Sequence, residues 1–343
     1  MTKTDDYDLL HCSAGHFVRS TRGTVGVSGN DRASFLQGLL TNDIEALSSG
    51  RGCYPTYLTP QGRIITDMNV LETGNSILLD VDIGTTHHLV ERFNKLIFSE
   101  DVQISDLSNT WTQIGVRGPH AATALATVLA ETDLEAVSLH ASKFLEYDDF
   151  QTGRVSYLDE HVLISRNDDV GVVGFDVRAP TTLDTELRER LAATGAVSVD
   201  ERVLEILRVE AGRPLFPVDL DEGTIPLEAG IEGRAISLTK GCYVGQEVII
   251  RILHRGQGKV ARKLVGLTVM EATSTVPMRN AKLFDNEKEV GHITSAVQSP
   301  ALGCPIALGY VHRDYAAPGM QVQIQDQSHG QTGTVTKLPF ITP

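Results

Sequence analysis

The spacing of hydrophobic and polar positions changes repeatedly along the chain, which predicts helices and strands in an irregular order. Helical spacing occurs in ASFLQGLL, HHLVERFNKLIF, AATALATVLAET, TTLDTELRERLAAT and ERVLEILRVEAG. Strand-like patterns occur in RIITDMNVLE, SILLDVD, WTQIGVRGP, HVLISR and VGFDVRA. The turn residues Thr73-Gly74-Asn75 join the first two strands and predict a β-hairpin. This mixture favours an α+β fold over a regular βαβ alternation.

The pattern changes near residue 259. Beyond it, short strand-like segments are separated by Gly, Pro, Asn and Asp: VARKLVGLTV, AKLFDN, EVGHITSAV, PIALGYVH, MQVQIQ and GTVTKL. Such a series predicts a small all-β barrel or sandwich. A chain of 343 residues is long enough for two or three domains, and we place a boundary near residue 259.

The net charge of the chain limits the classes of partner that it can bind. The formal net charge of −14 argues against general nucleic-acid binding, because that affinity comes from Lys and Arg neutralising phosphates. A local basic run nevertheless contains Lys240, Arg251, Arg255, Lys259, Arg262 and Lys263. This run is either an anion-binding patch or an ordinary solvated face, and charge alone favours neither.

The sequence gives little support to several common classes of protein, such as membrane, disulfide-rich and metal-binding proteins. No apolar run approaches the ~20 residues of a membrane span, and the acidic start MTKTDDYDLLHC is unlike a targeting peptide. We therefore expect a cytoplasmic protein without a membrane partner. The four cysteines, Cys12, Cys53, Cys242 and Cys304, form no CxxC pair, so neither disulfides nor a metal site is predicted. Walker, GxSxG and HExxH motifs are absent.

Glu210 is the first of three candidate residues. It falls in the last turn of a predicted helix, where the macrodipole disfavours a carboxylate by up to ~1 kcal/mol. Its carboxylate therefore needs a partner. That partner is either Arg213 nearby, which is the commoner kind of outcome, or a ligand that offers two adjacent N–H donors.

Asp67 is the second candidate. Strand alternation in RIITDMNVLE places Asp67 and Asn69 on one face, although Asp is depleted in strands. Such a polar stripe either faces water or lines a cavity. Placement on a rigid strand favours the cavity.

Cys242 is the third candidate. Gly241 and Gly245 on either side allow sharp bending of the loop, and Lys240 lies close enough in sequence to lower the thiol pKa. The segment VIIRILHRG that follows predicts a short helix ended by Gly256, with a strand as the alternative because of its β-branched residues. The alternative is a small buried thiol, the usual fate of a free cysteine.

The segments LRVEAGRP, IPLEAGI, KGCYVGQE and RGQGKVARKLVGL resemble the YgfZ family, folate-binding relatives of the glycine-cleavage T-protein that support iron–sulfur proteins. The resemblance extends to DRASFLQGLLTNDI, LTPQGRIITDMNVLE and VRGPHA, and so covers most of the chain. Its most specific part is KGCYVGQE, with Lys240, Gly241, Cys242, Tyr243, Gly245, Gln246 and Glu247.

This resemblance implies a three-lobed α+β fold around a central hole that holds tetrahydrofolate. The first α+β lobe is expected to comprise residues 1–48 and 110–235. The second, ferredoxin-like lobe is expected to comprise residues 49–109 and 236–258 and to carry the KGCYVGQE loop. Residues 259–343 are expected to form a C-terminal β-barrel.

The resemblance also implies roles for single residues. Glu210 is expected to accept the ring N–H and the exocyclic amine of the pterin. Asp67 is expected near N5 of the folate, where its charge stabilises positive charge during one-carbon transfer. From charge, we further infer that Arg251 and Arg255 attract the glutamate tail of the folate.

Two departures from the T-protein pattern determine the function we expect. T-proteins typically have two successive acids where this chain has Thr66-Asp67, and they lack the cysteine motif. We therefore expect a folate-binding accessory protein for the assembly or repair of iron–sulfur proteins, including enzymes that thiomethylate tRNA, with Cys242 essential and iron–sulfur proteins or their assembly factors as partners. The alternative is a tetrahydrofolate-dependent aminomethyltransferase or amine demethylase.

Overall fold

The computed structural model describes residues 3–130, 134–256, 258–269, 275–325 and 330–342. The chain divides into two units. One comprises Met1–Tyr57, Thr66–Val203 and Ala235–Tyr243, and the other comprises Leu58–Ile65, Leu204–Arg234 and Val244–Pro343.

A six-stranded sheet forms the larger part of the first unit. Its strands, in spatial order, are β10 (Thr152–Tyr157), β11 (Glu160–Arg166), β12 (Gly174–Pro180), β9 (Trp111–Arg117), β1 (Gly15–Val18) and β13 (Val197–Ser198). The associated helices are α1 (Lys3–Cys12), α4 (Ala121–Leu129), α5 (Leu134–Leu145) and α6 (Asp184–Ala193). The alanine-rich face of α4 is buried against apolar side chains of β9 and β12, and this packing forms the core of the unit.

A five-stranded sheet forms the rest of the first unit. Its order is β3 (Gly52–Cys53), β6 (Asn69–Glu72), β7 (Ser76–Asp82), β2 (Arg22–Ser28) and β8 (Gln103–Asp106), with helices α2 (Arg32–Leu39) and α3 (Thr86–Asn94). Strands β6 and β7 pair antiparallel with Glu72 opposite Ile77, so the predicted hairpin is confirmed. Strand β2 pairs here with β7 and β8, although the predicted boundaries assign its residues to the first lobe.

The predicted strand RIITDMNVLE is divided in two. Its first part, β5 (Ile64–Asp67), pairs with β4 (Thr56–Leu58) in a two-stranded sheet, whereas its second part is β6 of the five-stranded sheet. Between the two parts, the amide of Met68 donates to the carbonyl of Pro55, the residue before β4, at 3.1 Å. A single-strand prediction failed here because the pattern alone does not show a change of pairing partner.

A closed six-stranded barrel forms most of the second unit. Its order is β14 (Arg262–Thr268), β17 (Cys304–His312), β16 (Lys288–Ser299), β15 (Lys282–Asp285), β18 (Gln321–Gln325) and β19 (Gly330–Thr336). Alternate apolar side chains such as Leu267, Leu283 and Ile324 fill its interior. Four helices precede the barrel strands in the chain: α7 (Glu201–Glu210), α8 (Pro226–Ala229), α9 (Glu232–Ala235) and α10 (Gln246–His254).

These elements confirm an α+β fold with a C-terminal β-barrel. The division into three lobes at residues 48, 109, 235 and 258 stays a prediction. Within the described ranges, no helix combines the length and the apolar character that crossing a bilayer requires.

Candidate functional site

The carboxyl group of Asp67 is enclosed in the first unit. Asp67 ends β5 and is 6% exposed. The hydroxyl of Tyr54 donates to its Oδ2 at 2.7 Å, while Oδ1 is buried without a hydrogen-bond partner among the described residues. A buried acceptor of this kind is costly unless something else supplies a donor. The polar stripe therefore does not face water, and Asp67 keeps one oxygen available for a bound group.

Burial is the largest influence on Asp67 and raises its pKa. The Arg22 guanidinium and the Tyr54 hydroxyl act in the opposite direction, because both stabilise the ionised form. Thr66, where T-proteins typically have a second acid, is fully buried and its hydroxyl donates to the backbone carbonyl of Asp67 at 3.0 Å.

Arg22, which acts on Asp67, belongs to a buried cluster of charged residues. Arg22 Nε donates to Asp80 Oδ1 at 2.9 Å, and Arg178 Nη2 lies 2.9 Å from Asp80 Oδ2. Asn69 Nδ2 donates to the same Oδ2 at 3.0 Å, so the predicted partner of Asp67 on the strand face belongs to this cluster. Burial alone would raise the pKa of Asp80, but the arginines lower it to about 2. The cluster acts on Asp67 in both directions, because Arg22 lowers its pKa and Asp80 raises it.

Glu210 is placed in the second unit as the last residue of α7, where the sequence predicted it. Its side chain is 3% exposed, and its Oε1 accepts a hydrogen bond from Ser299 Oγ at 2.5 Å. The backbone carbonyl of Glu210 accepts from the amides of Phe340 at 2.9 Å and Ile341 at 3.3 Å. Sequence analysis missed Ser299, because 89 residues separate it from Glu210 and no local pattern links them.

The Lys240 ammonium group is held at the end of α2. It donates to three backbone carbonyls there: Gln37 at 2.7 Å, Leu40 at 2.6 Å and Asn42 at 2.7 Å. Gln37 lies in the last turn of α2 and Leu40 is its C-cap, whereas Asn42 follows the helix. A helix end leaves carbonyls without amide partners, and Lys is a suitable cap for them. Burial lowers the pKa of Lys240 to about 8.

The thiol that Lys240 affects is that of Cys53. Burial raises the pKa of Cys53 to about 12, and the Lys240 charge opposes this only in part. Cys53 is therefore a protonated, inert thiol at neutral pH. The predicted effect of Lys240 on Cys242 stays a prediction, and the hydrogen bonds of the ammonium group go to the end of α2.

The rest of the KGCYVGQE segment divides between the units after Tyr243. Gly241 and Cys242 are exposed, so the alternative of a buried Cys242 thiol is excluded. Tyr243 is 7% exposed, and burial raises its pKa to about 12. A Cβ on Gly241 would enter open space, so this position does not require glycine.

Gly245 does require glycine. Its φ is +84°, and a Cβ there would lie 2.5 Å from the carbonyl oxygen of Thr59. It is the N-cap of α10, which begins at Gln246 and confirms the predicted helix. Glu247 is in the first turn, where a carboxylate is favoured by the helix dipole.

The basic run separates into bound and exposed side chains. Lys240 caps α2, and Arg262 Nε donates to Glu228 Oε2 at 3.1 Å. Arg251 and Arg255, at the end of α10, are exposed, and neither forms an ion pair within the part of the chain that the structure describes. These two cations remain available to an external anion.

Comparisons with known proteins agree over nearly the whole chain. The GCVT N-terminal domain matches residues 3–240, and the glycine cleavage T-protein C-terminal barrel domain matches residues 262–341. The aminomethyltransferase of Listeria monocytogenes serotype 4b (strain CLIP80459) is 29% identical over 337 residues, 98% of this chain and 88% of that protein. The aminomethyltransferase of Bacillus subtilis (strain 168) is 29% identical over 339 residues, 98% of this chain and 90% of that protein.

A solved structure supports the fold. Glycine cleavage system aminomethyltransferase T from Bartonella henselae has a TM-score of 0.86 at 23% identity, covering 99% of this chain and 90% of that chain. The T-protein-like fold that the resemblance implied is confirmed.

The first function that the sequence suggested is corrected by these findings. We expected an accessory role in iron–sulfur protein assembly, but the relatives that match along the whole chain are named aminomethyltransferase. The cysteine motif and the single acid at Asp67 carried too much weight in that inference. The domain matches, which together span residues 3–240 and 262–341, show that the chain belongs to the glycine-cleavage T-protein family.

Proposed function

We propose that this chain is a tetrahydrofolate-dependent aminomethyltransferase. The observation that carries the proposal is the buried Asp67 carboxyl, with one oxygen held by Tyr54 and the other without a partner among the described residues. A carboxyl group in this state suits a site where positive charge develops on a bound molecule. The names of the relatives support the same type of reaction.

The two acids have different tasks in this proposal. Asp67 lies near N5 of tetrahydrofolate and stabilises the positive charge that forms as a one-carbon unit is transferred. Glu210 accepts the pterin ring N–H and exocyclic amine, a fork that suits a carboxylate. Their burial supports these tasks, because hydrogen bonds to charged groups are stronger away from water.

Arg251 and Arg255 bind the glutamate tail of the folate. Both are exposed at the end of α10, and their positive charge complements the tail carboxylates in a protein whose net charge is −14. Within the T-protein family, we place the chain in the YgfZ branch, on the KGCYVGQE segment. This finer placement rests on sequence resemblance alone.

The test is a transfer assay with tetrahydrofolate and an aminomethyl-lipoyl substrate, in which 5,10-methylenetetrahydrofolate is measured. Asp67→Asn keeps the shape of the side chain but removes its charge, so we expect turnover to fall about 10²-fold or more. Cys242→Ala should retain turnover, because the reaction does not use a thiol at this position. No turnover by the wild-type chain, or equal losses in the two variants, would contradict the proposal.

A further inference from the structure

The hydroxyl group of Ser299 has a fixed orientation. Ser299 ends β16, is fully buried, and accepts a hydrogen bond from the Leu302 amide at 3.1 Å. A hydroxyl has a single proton to donate. Since the Leu302 amide occupies one side of the oxygen, that proton is directed to Oε1 of Glu210 at 2.5 Å.

The backbone around Glu210 is also fixed. Its carbonyl accepts from the amides of Phe340 and Ile341, and the preceding residue, Val209, is fully buried in an apolar cluster. The other buried members of that cluster are strand residues of the barrel: Val297, Ile306 and Leu308. The end of α7 is therefore anchored, and the bond from Ser299 restricts rotation of the Glu210 side chain.

We propose that Ser299 is a positioning residue that sets the preference of this protein for the pterin ring. It holds the Glu210 carboxylate in the one orientation that accepts two neighbouring N–H groups. The bond from Ser299 uses one of the about four acceptor positions of an ionised carboxylate. This inference rests on the proposed function, and it adds a residue that never touches the pterin.

The experiment compares two ligands. One is tetrahydrofolate, and the other is its 2-desamino-2-methyl analogue, which lacks the exocyclic amine and can form only one bond of the fork. Dissociation constants are measured for the full chain and for Ser299→Ala. We expect about 10-fold weaker binding of tetrahydrofolate, which is about 1.4 kcal/mol, because the carboxylate loses its fixed orientation. The analogue forms only one hydrogen bond to the carboxylate, so its binding should weaken about threefold or less.

Ser295→Ala is the matched control. Ser295 lies on the same strand, is 4% exposed, and donates to a different buried carboxylate, Asp219 Oδ1, at 2.8 Å. This variant should lose stability while keeping the wild-type ratio of the two dissociation constants. Ser299→Cys has a similar volume but a weaker donor, so its ratio should lie between those of wild type and Ser299→Ala.

The outcomes separate this inference from the proposed function. A wild-type chain that does not bind tetrahydrofolate refutes the proposed function and the role of Ser299 together. Normal wild-type binding with equal losses of both ligands in Ser299→Ala refutes the positioning role alone. A change in the ratio for Ser295→Ala as large as for Ser299→Ala also refutes it, because barrel stability would then explain the effect.

Discussion

Removal of one hydroxyl group tests how Tyr54 affects the ionisation of Asp67. Tyr54→Phe deletes the donor to Asp67 Oδ2 at 2.7 Å and leaves a ring of almost the same shape. Asp67 is 6% exposed and its Oδ1 has no hydrogen-bond partner in the described parts of the chain. Water therefore cannot readily replace the lost donor.

The expected magnitude follows from the strength of such a bond. A hydrogen bond to a charged group contributes about 1.5–3 kcal/mol to the free energy of unfolding. Burial already raises the pKa of Asp67, so the folded chain binds this proton more tightly than the unfolded chain does. Stability from this group is present at low pH and is lost as pH rises. Since Tyr54→Phe raises the pKa further, its loss of stability should be larger at pH 8 than at pH 5.

Chemical unfolding of wild type and Tyr54→Phe at several pH values measures this loss of stability. In Tyr54→Phe, the acid limb of the pH profile of the transfer rate should also move to higher pH. Tyr57→Phe is the control, because Tyr57 is also buried but its hydroxyl accepts from Arg92 Nε at 2.9 Å. The same pH profile for Tyr54→Phe and wild type, with both chains folded, would refute the account of Asp67.

Two further predictions concern charge. Arg251→Glu and Arg255→Glu should weaken the binding of polyglutamylated tetrahydrofolate far more than that of the monoglutamate. The difference in binding should shrink at high salt. Equal losses of binding for both ligands would contradict the proposed site for the glutamate tail. His16, on β1, is 4% exposed, and burial followed by the charge of Arg188 lowers its pKa below 6.5. The folded chain therefore binds fewer protons than the unfolded chain, and stability should fall as pH drops below 6.5. In His16→Phe the fall between pH 7 and pH 5.5 should be smaller, and parallel stability curves would show that His16 is not its cause.

Local signals in the sequence predicted most elements correctly. The turn at Gly74 located a hairpin, and the helix that ends at Glu210 was placed correctly. The glycines and prolines after residue 259 indicated a barrel or a sandwich, and the structure has the barrel. Such features depend on residues within one turn or one strand of each other. The family was visible for the same reason, because its motifs are short and continuous.

The surroundings of the two acids could not be predicted. Tyr54 is 13 residues from Asp67, and Ser299 is 89 residues from Glu210, so only the folded chain brings each donor to its acceptor. Strand alternation placed Asn69 beside Asp67, but β5 and β6 belong to different sheets, and Asn69 donates to Asp80. Burial and contacts between distant segments determine these details, and periodicity contains neither.

Lys240 explains why the cysteine motif was misleading. In sequence, an ammonium two residues before a thiol suggests activation, because a nearby positive charge stabilises the thiolate. In the fold, three carbonyls at the end of α2 use all three of its donors. Capping the helix accounts for this lysine without any chemistry at Cys242. A cluster of reactive residue types is therefore evidence for a redox role only when each member lacks a structural task, and here the lysine has one.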